Sequence, residues 1–284
     1  MIDIDINFVE RGTGSITIIF VHGFTCSLSD WSNQMPSLSD RYRCVAVDLP
    51  GHGDSAAPRE ATIETLANSV NHMLDKLALD EVVLIGHSMG CRVISEMARQ
   101  SRARVRGLVY IDGSIVADEN VEAAVSSSIE IIDRVGMRQF LDMFYHDFFA
   151  VSTALAIRDS IWGRFSSIDI PFAQQLWLNM IRWDALQSRS ILTSLDVPAL
   201  VIQSTFLNSD LKRVSLSPGQ SSTWVDEVSK AVDGAVVQII ENVGHFPMLE
   251  APEQTNEVIH RFIQKIRGDV PARSANSTTS SRAG

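Results

Sequence analysis

Five residues, Gly86-His87-Ser88-Met89-Gly90, carry the most specific chemical signal in this 284-residue chain. They follow the apolar run Val82–Ile85 and lead into helical periodicity from Met89. A serine on such a strand–turn–helix junction sits in strained backbone with its hydroxyl projecting clear of the strand. Glycines two positions away on either side remove the side chains that would collide there. A hydroxyl presented in this way suits attack on a carbonyl, provided that a base takes its proton, because free serine is a poor nucleophile at neutral pH.

Of the seven histidines, His245 has the placement of that base. It lies in Asn242-Val243-Gly244-His245-Phe246-Pro247, after the last apolar run and before the final helical pattern. A loop there belongs to the strand-end rim on which open α/β sheets build their sites. His87, beside the serine, and His52, in Gly51-His52-Gly53, read as structural; His72, His146 and His260 fall on helical patterns without evident partners. Attack on a carbonyl also creates a negative oxygen, which needs donors. The expected donors are the backbone N–H of Phe24, after Val21-His22-Gly23, and that of Met89, at the positive start of a helix. The Phe24 ring reads as a pocket wall.

These residues need a sheet to hold them. Short β-rich runs recur at Ile16–Val21, Cys44–Val47, Val82–Ile85, Val105–Ile111, Ala199–Ile202 and Ala235–Ile240, with helical patterns between most of them, at Thr62–Leu79, Met89–Gln100 and Pro252–Arg267 among others. Nearly continuous apolar strands alternating with helices predict an α/β fold with a mostly parallel sheet covered on both faces. Ile2, Ile4, Ile6 and Phe8 alternate with polar residues and predict an antiparallel edge strand, with Arg11-Gly12-Thr13-Gly14 as the turn after it. From about residue 117 to 195 no strand is expected. That interval, under a third of the chain, holds half of the aromatic residues, among them Phe144, Phe148, Trp162, Trp177 and Trp183. A small helical insert cannot bury all of these rings by itself. Phe144, Phe148, Trp162, Trp183 and Phe246 are therefore expected, with Phe24, to line a pocket between insert and sheet. The division is a core over 1–116 and 196–267, an inserted helical cap over 117–195, and a polar, Ser/Thr-rich tail over 268–284 that reads as flexible.

Composition narrows the rest. Hydrophobic residues make up 45% and charged residues 20%, an ordinary globular profile, and a net charge of -10 disfavours phosphate backbones and anionic membranes. No nucleic acid and no membrane is expected as a partner. Cys26, Cys44 and Cys91 form neither a disulfide framework nor a metal-ligand pattern, so neither metal nor cofactor is called for, and a cytoplasmic monomer or homodimer is expected. No basic, apolar leader and no membrane-spanning run is seen.

Taken together, His22-Gly23, Asp48-Leu49-Pro50-Gly51-His52-Gly53-Asp54-Ser55, Gly86-His87-Ser88-Met89-Gly90, Gly244-His245-Phe246-Pro247 and Glu250-Ala251-Pro252-Glu253 resemble, in order, the motifs of the α/β-hydrolase fold superfamily. The likeness is to its small capped members: esterases, lactonases, epoxide hydrolases and cofactor-free haloperoxidases. It covers roughly 1–116 and 196–267, and the helical interval stands at the usual cap position. The resemblance implies a carboxylate to orient His245. Relatives commonly carry it just after the strand that follows the cap, but here that strand runs into Gln203-Ser204-Thr205, and Asp210 comes about three residues late. Asp112, at the end of Val105–Ile111, is preferred, as in haloalkane dehalogenases; Asp210 is the rival and Asp226 stands behind it. Epoxide hydrolases and dehalogenases resemble this chain but have aspartate at the elbow, whereas serine suits acyl transfer. Ester or lactone hydrolysis through an acyl-enzyme on Ser88 is therefore expected. Carbon–carbon cleavage of a ring-fission product, amide or carbamate hydrolysis, and a receptor that only binds its ligand are the alternatives. For the second reaction Arg92, Arg182 or Arg189 would have to hold a substrate carboxylate; each reads instead as a solvated arginine.

Overall fold

The structure is a computed structural model that describes residues 6–116, 120–208 and 212–268. Its centre is a seven-stranded sheet with β1 (Phe8–Arg11), β2 (Thr17–Val21), β3 (Arg43–Val47), β4 (Val82–His87), β5 (Val105–Ile111), β6 (Ala199–Gln203) and β9 (Val236–Ile239) in the order β1-β3-β2-β4-β5-β6-β9. Only β1 runs antiparallel; every other pairing is parallel. Burial of β2 and β4 on both faces explains why their sequences are nearly continuous apolar runs rather than alternating ones. The remaining strands, β7 (Thr205–Leu207) and β8 (Arg213–Ser215), form a separate antiparallel hairpin just past the end of β6.

The helices are α1 (Gln34–Ser39), α2 (Ile63–Lys76), α3 (Met89–Gln100), α4 (Val121–Val135), α5 (Met137–Tyr145), α6 (Leu155–Ser167), α7 (Ile170–Trp183), α8 (Arg189–Ser194), α9 (Thr223–Ala231), α10 (Pro247–Glu250) and α11 (Pro252–Gly268). Thr62 caps α2 by accepting the Thr65 N–H at 3.0 Å. That helix stops short of the expected Leu79 because Ala78 turns into the left-handed region at φ 50°. The strand expected over Ile2–Phe8 falls mostly outside the described residues. The described β1 pairs through Arg11, into the start of the expected turn, and just before it the Asn7 N–H is taken by the Ser55 hydroxyl. Residues 1–5 and the expected tail beyond 268 lie outside the described residues.

Between β5 and β6 the described residues of the insert are helical, α4 to α8, with a π-turn at Asp184–Ser188. Buried ions fasten it to the core. Arg92 on α3 donates to both carboxylate oxygens of Asp184 at 2.6 Å and to the Ser114 carbonyl at 2.6 Å. Asp184 also accepts the Val116 N–H at 2.8 Å, so one carboxylate ties the two stems of the insert to α3. At another point Arg164 of α6 pairs with the fully buried Asp30. Arg92 is 2% exposed, which corrects its reading as a solvated side chain; the guanidinium is committed to Asp184 and is not free to hold a substrate. No helix among the described residues is long and apolar enough to cross a membrane.

Removing one partner of a buried pair leaves an uncompensated charge. Arg92→Met is expected to lose roughly 3–5 kcal/mol of stability in urea unfolding, with the double variant Arg92→Met/Asp184→Leu recovering much of it. A single variant that unfolds at the wild-type midpoint would mean that the pair does not secure the insert.

Candidate active site

The carboxyl ends of the six parallel strands share one rim of the sheet. β4 ends at His87, and Ser88 follows at φ 53°, ψ −116°, a conformation that non-glycine residues rarely adopt. The glycine requirement is visible. A Cβ on Gly86 would lie 2.4 Å from the Gly90 carbonyl oxygen, and one on Gly90 would lie 2.3 Å from that of Val21. The half-buried Ser88 therefore stands at the start of α3, whose first N–H groups, that of Met89 included, have no acceptor within the helix.

His245 reaches Ser88 from the loop after β9. Its Nε2 is 2.9 Å from Ser88 Oγ and its Nδ1 2.6 Å from Asp112 Oδ2. Because Nδ1 faces an ionised carboxylate it must carry the proton, which leaves Nε2 bare to accept the Ser88 hydroxyl. The loop is held on several sides. The His245 carbonyl accepts from His87 Nε2 at 2.7 Å, and the His245 N–H donates to the Phe148 carbonyl of the insert at 2.6 Å. Glu250 accepts the N–H groups of Gly244 and Phe246, on either side of the histidine, and the hydroxyl of Thr153 from the insert.

Asp112 follows β5 with φ 44° and is fully buried. Its Oδ1 accepts from Ser204 N–H at 2.8 Å, Ser204 Oγ at 3.0 Å and Thr205 N–H at 2.7 Å. Its Oδ2 accepts from Thr205 Oγ1, from His245, and from Arg213 Nη1 at 3.3 Å. Burial alone would raise this carboxyl; the hydrogen bond and charge of His245 and the charge of Arg213 override that and hold it at about 2. Asp210 lies outside the described residues, and Asp226, on α9, bonds the Ser221 hydroxyl instead. Ser204, Thr205 and Arg213 were not singled out from the sequence. The polar pair Ser204-Thr205, standing where an acid was sought after β6, was the available signal.

Gly23 closes the other side. A Cβ there would come within 3.0 Å of His87 Nδ1 and 3.1 Å of Ser88 Cβ, so the Gly23–Phe24 peptide lies against the serine. His22 fixes it, donating from Nδ1 to the Gly23 carbonyl at 2.7 Å and accepting the Leu49 N–H on Nε2 at 3.0 Å.

The aromatic residues divide into three settings. The Phe24 ring is 6.1 Å from Trp177, which is 5.2 Å from Phe144. Phe148 lies 5.1 Å from the His245 ring. Phe246, expected as a wall, is fully buried among His87, His245, Phe148 and Phe149, and packs the histidine in place. Trp162, 39% exposed, stacks on Phe165 and is separated from His245 by Phe165 and Phe148. Trp183 is 3% exposed and precedes Asp184, so it packs the insert onto the core. Trp177, not among the rings expected to line a pocket, is the one that meets Phe24. Its α7 position gave a helical stripe but no sign of which ring would meet Phe24. Of the candidate cations, Arg189 is exposed and pairs with Glu227, and Arg182 is exposed. A cleft of about 590 Å³ lined by Ser114, Val116, Phe206 and Trp224 among others touches neither Ser88 nor His245.

The alpha/beta hydrolase family profile matches residues 18–258. The chain belongs to the alpha/beta hydrolase family. Its relatives include the dihydrolipoyllysine-residue acetyltransferase component of the acetoin cleaving system of Cupriavidus necator, 34% identical over 110 residues, covering 38% of this chain and 29% of that protein. The chain thus spans under a third of that relative's length. The pimeloyl-[acyl-carrier protein] methyl ester esterase of Methylococcus capsulatus is 26% identical, over 90% of this chain and 98% of the esterase. A thermophilic esterase from Thermogutta terrifontis has the same fold, with a TM-score of 0.76 at 24% identity over 93% of this chain and 94% of that one.

Burial lowers His22 and His245 to about 4 and His52 to about 3, and pushes His87 down as well. The unfolded chain protonates these rings near 6.5, the folded one only at lower pH, so the unfolded state binds more protons as pH falls below 6.5. Each such histidine removes up to about 1.4 kcal/mol of stability per pH unit. The urea midpoint is expected to fall steadily from pH 7 to pH 5, and a midpoint flat over that range would contradict four rings buried neutral.

Proposed function

We propose that the protein is a serine hydrolase that cleaves a carboxylic ester or lactone carrying an apolar or aromatic group. The observation that carries this reading is the unbroken chain of contacts from Ser88 Oγ through both nitrogens of His245 to the buried Asp112. Ser88 Oγ bonds to the substrate carbonyl carbon while His245 Nε2 takes its proton. The charge that develops on the carbonyl oxygen is met by the N–H groups of Phe24 and Met89. Asp112 holds the imidazole in the required tautomer and stabilises its cationic form. The carbon–oxygen bond to the leaving group then breaks, and His245 returns the proton to the departing alcohol. Water, deprotonated by the same histidine, then attacks the Ser88 ester; the bond from the acyl carbon to Ser88 Oγ breaks, the acid leaves, and His245 returns the proton to Ser88 Oγ. No step calls for a metal or an organic cofactor.

The ring cluster of Phe24, Trp177 and Phe144, together with Phe148 against the His245 ring, supports an apolar acyl or alkyl group. Carbon–carbon cleavage is less favoured, because Arg92 is bound to Asp184 and Arg189 to Glu227. An intact relay also speaks against a protein that only binds its ligand.

Ser88→Ala is expected to lower kcat on p-nitrophenyl esters by at least about 10⁴-fold with an unchanged fold, and to abolish labelling by a fluorophosphonate. Slow, equal turnover in both proteins, with ligand-induced stabilisation, would favour a receptor. In an ester and lactone panel, kcat/KM should be higher on aryl and medium-chain substrates than on short polar esters; the reverse order would remove the apolar pocket from the proposal.

A further inference from the structure

A buried cation beside the acid of a hydrolytic relay is a feature that the relay does not require. Arg213 opens β8, and its side chain is 8% exposed. From there Nη1 donates to Asp112 Oδ2 at 3.3 Å and to Thr205 Oγ1 at 2.8 Å, and Nη2 reaches Ser114 Oγ at 3.4 Å. The guanidinium thus joins three segments, the loop after β5, the start of β7 and β8 itself, around one carboxylate oxygen. That oxygen is the one His245 uses.

We propose that Arg213 is a positioning residue of the site, which clamps Asp112 Oδ2 onto His245 Nδ1 and acts on His245 through that carboxylate. The proposal rests on the hydrolytic reading above. Two consequences follow from the charge. An arginine stays cationic at any working pH, so it keeps Asp112 ionised and prevents the carboxylate from turning away. It also offsets part of the negative charge that His245 meets, and so opposes protonation of the imidazole before substrate arrives. Burial is the largest influence lowering the affinity of His245 for a proton, and Arg213 is the next, against the raising influence of Asp112. The other charged or titratable groups around His245 are His87 at the end of β4, Arg92 on α3, Glu250 on α10 and, from the insert, Asp147 facing Arg213. None of these but Arg213 hydrogen-bonds Asp112 among the described residues.

The test compares wild type, Arg213→Met and Arg213→Lys by kcat/KM on an aryl ester and by the rate of fluorophosphonate labelling. Both are followed from pH 5.5 to 8, where circular dichroism shows each protein folded. Wild type should be nearly flat over this range. In Arg213→Met the loss of the cation should move the acidic limb up by about one pH unit. Its activity at pH 5.5 should then be about three quarters of the plateau, where wild type keeps nearly all of it, with kcat falling more than KM rises. Arg213→Lys keeps the charge and should restore the flat profile. A residue that only supports the hairpin would alter the melting temperature or kcat without moving the limb, and an unmoved limb in Arg213→Met overturns the proposal. Should the methionine variant fail to fold, Arg213→Gln against Arg213→Lys makes the same comparison. Wild type that neither labels nor turns over at any pH would instead sink the hydrolytic reading itself, which separates the two failures.

Discussion

A fully buried carboxylate, Asp112, is the constraint around which the site is arranged. Taking a charge out of water is costly unless donors replace the lost hydration. Here they come from Ser204, Thr205, His245 and Arg213, that is from the end of β6, the short hairpin beyond it and the loop after β9. No one of these segments could solvate the charge alone. Its demand for partners therefore draws the stretch that follows β6 and the loop after β9, both distant in sequence from Asp112, into a single register at the end of the sheet. The histidine that would move a proton in catalysis is one of those partners, so stability and chemistry share the same contacts.

The insert is part of this arrangement as well. The Phe148 carbonyl takes the N–H of His245, and Thr153 donates to Glu250, which in turn holds the amides of Gly244 and Phe246. A Cβ on Gly244 would lie 2.6 Å from the Phe148 oxygen, so the glycine before the histidine is required by the closeness of the insert. On the opposite side the insert meets the core through the Trp177 ring against Phe24 and through Gln175 and Asn179, which bond the Ala61 N–H and carbonyl at 2.8 and 2.9 Å. Buried ion pairs at Arg92–Asp184 and Asp30–Arg164 anchor the remainder.

Much of this was legible in the residues. The strand positions at the centre of the sheet could be read because both faces are buried and the runs are apolar throughout, as at Ile18–Val21 and Val82–Ile85. Ser88 and His245 could be named because a strained turn needs glycines at fixed offsets and a loop after the last strand must face the rim. What could not be read depended on contacts distant in sequence. The hairpin carrying Arg213 has three-residue strands, too short for periodicity to register. Arg92 looked solvated because its partner Asp184 is 92 residues away. Among the aromatic residues, composition announced a cluster but not its geometry: Phe246 and Trp183 are buried in packing, and Trp177 lies against Phe24.

The uneven attachment of the insert bears on how such an enzyme can diversify. Residues near Phe148 and Thr153 are tied to the backbone of the histidine loop, so exchange there would disturb proton transfer along with any change in what is bound. At Trp177 itself the contact with Phe24 and Phe144 is ring against ring, while Gln175 and Asn179 on the same helix hydrogen-bond the Ala61 backbone; side chains of other sizes at the ring positions could replace one another without touching the relay. Selectivity in descendants of this protein should accordingly drift at the ring positions around Trp177, while Gln175 and Asn179 and the stretch after α5 stay frozen.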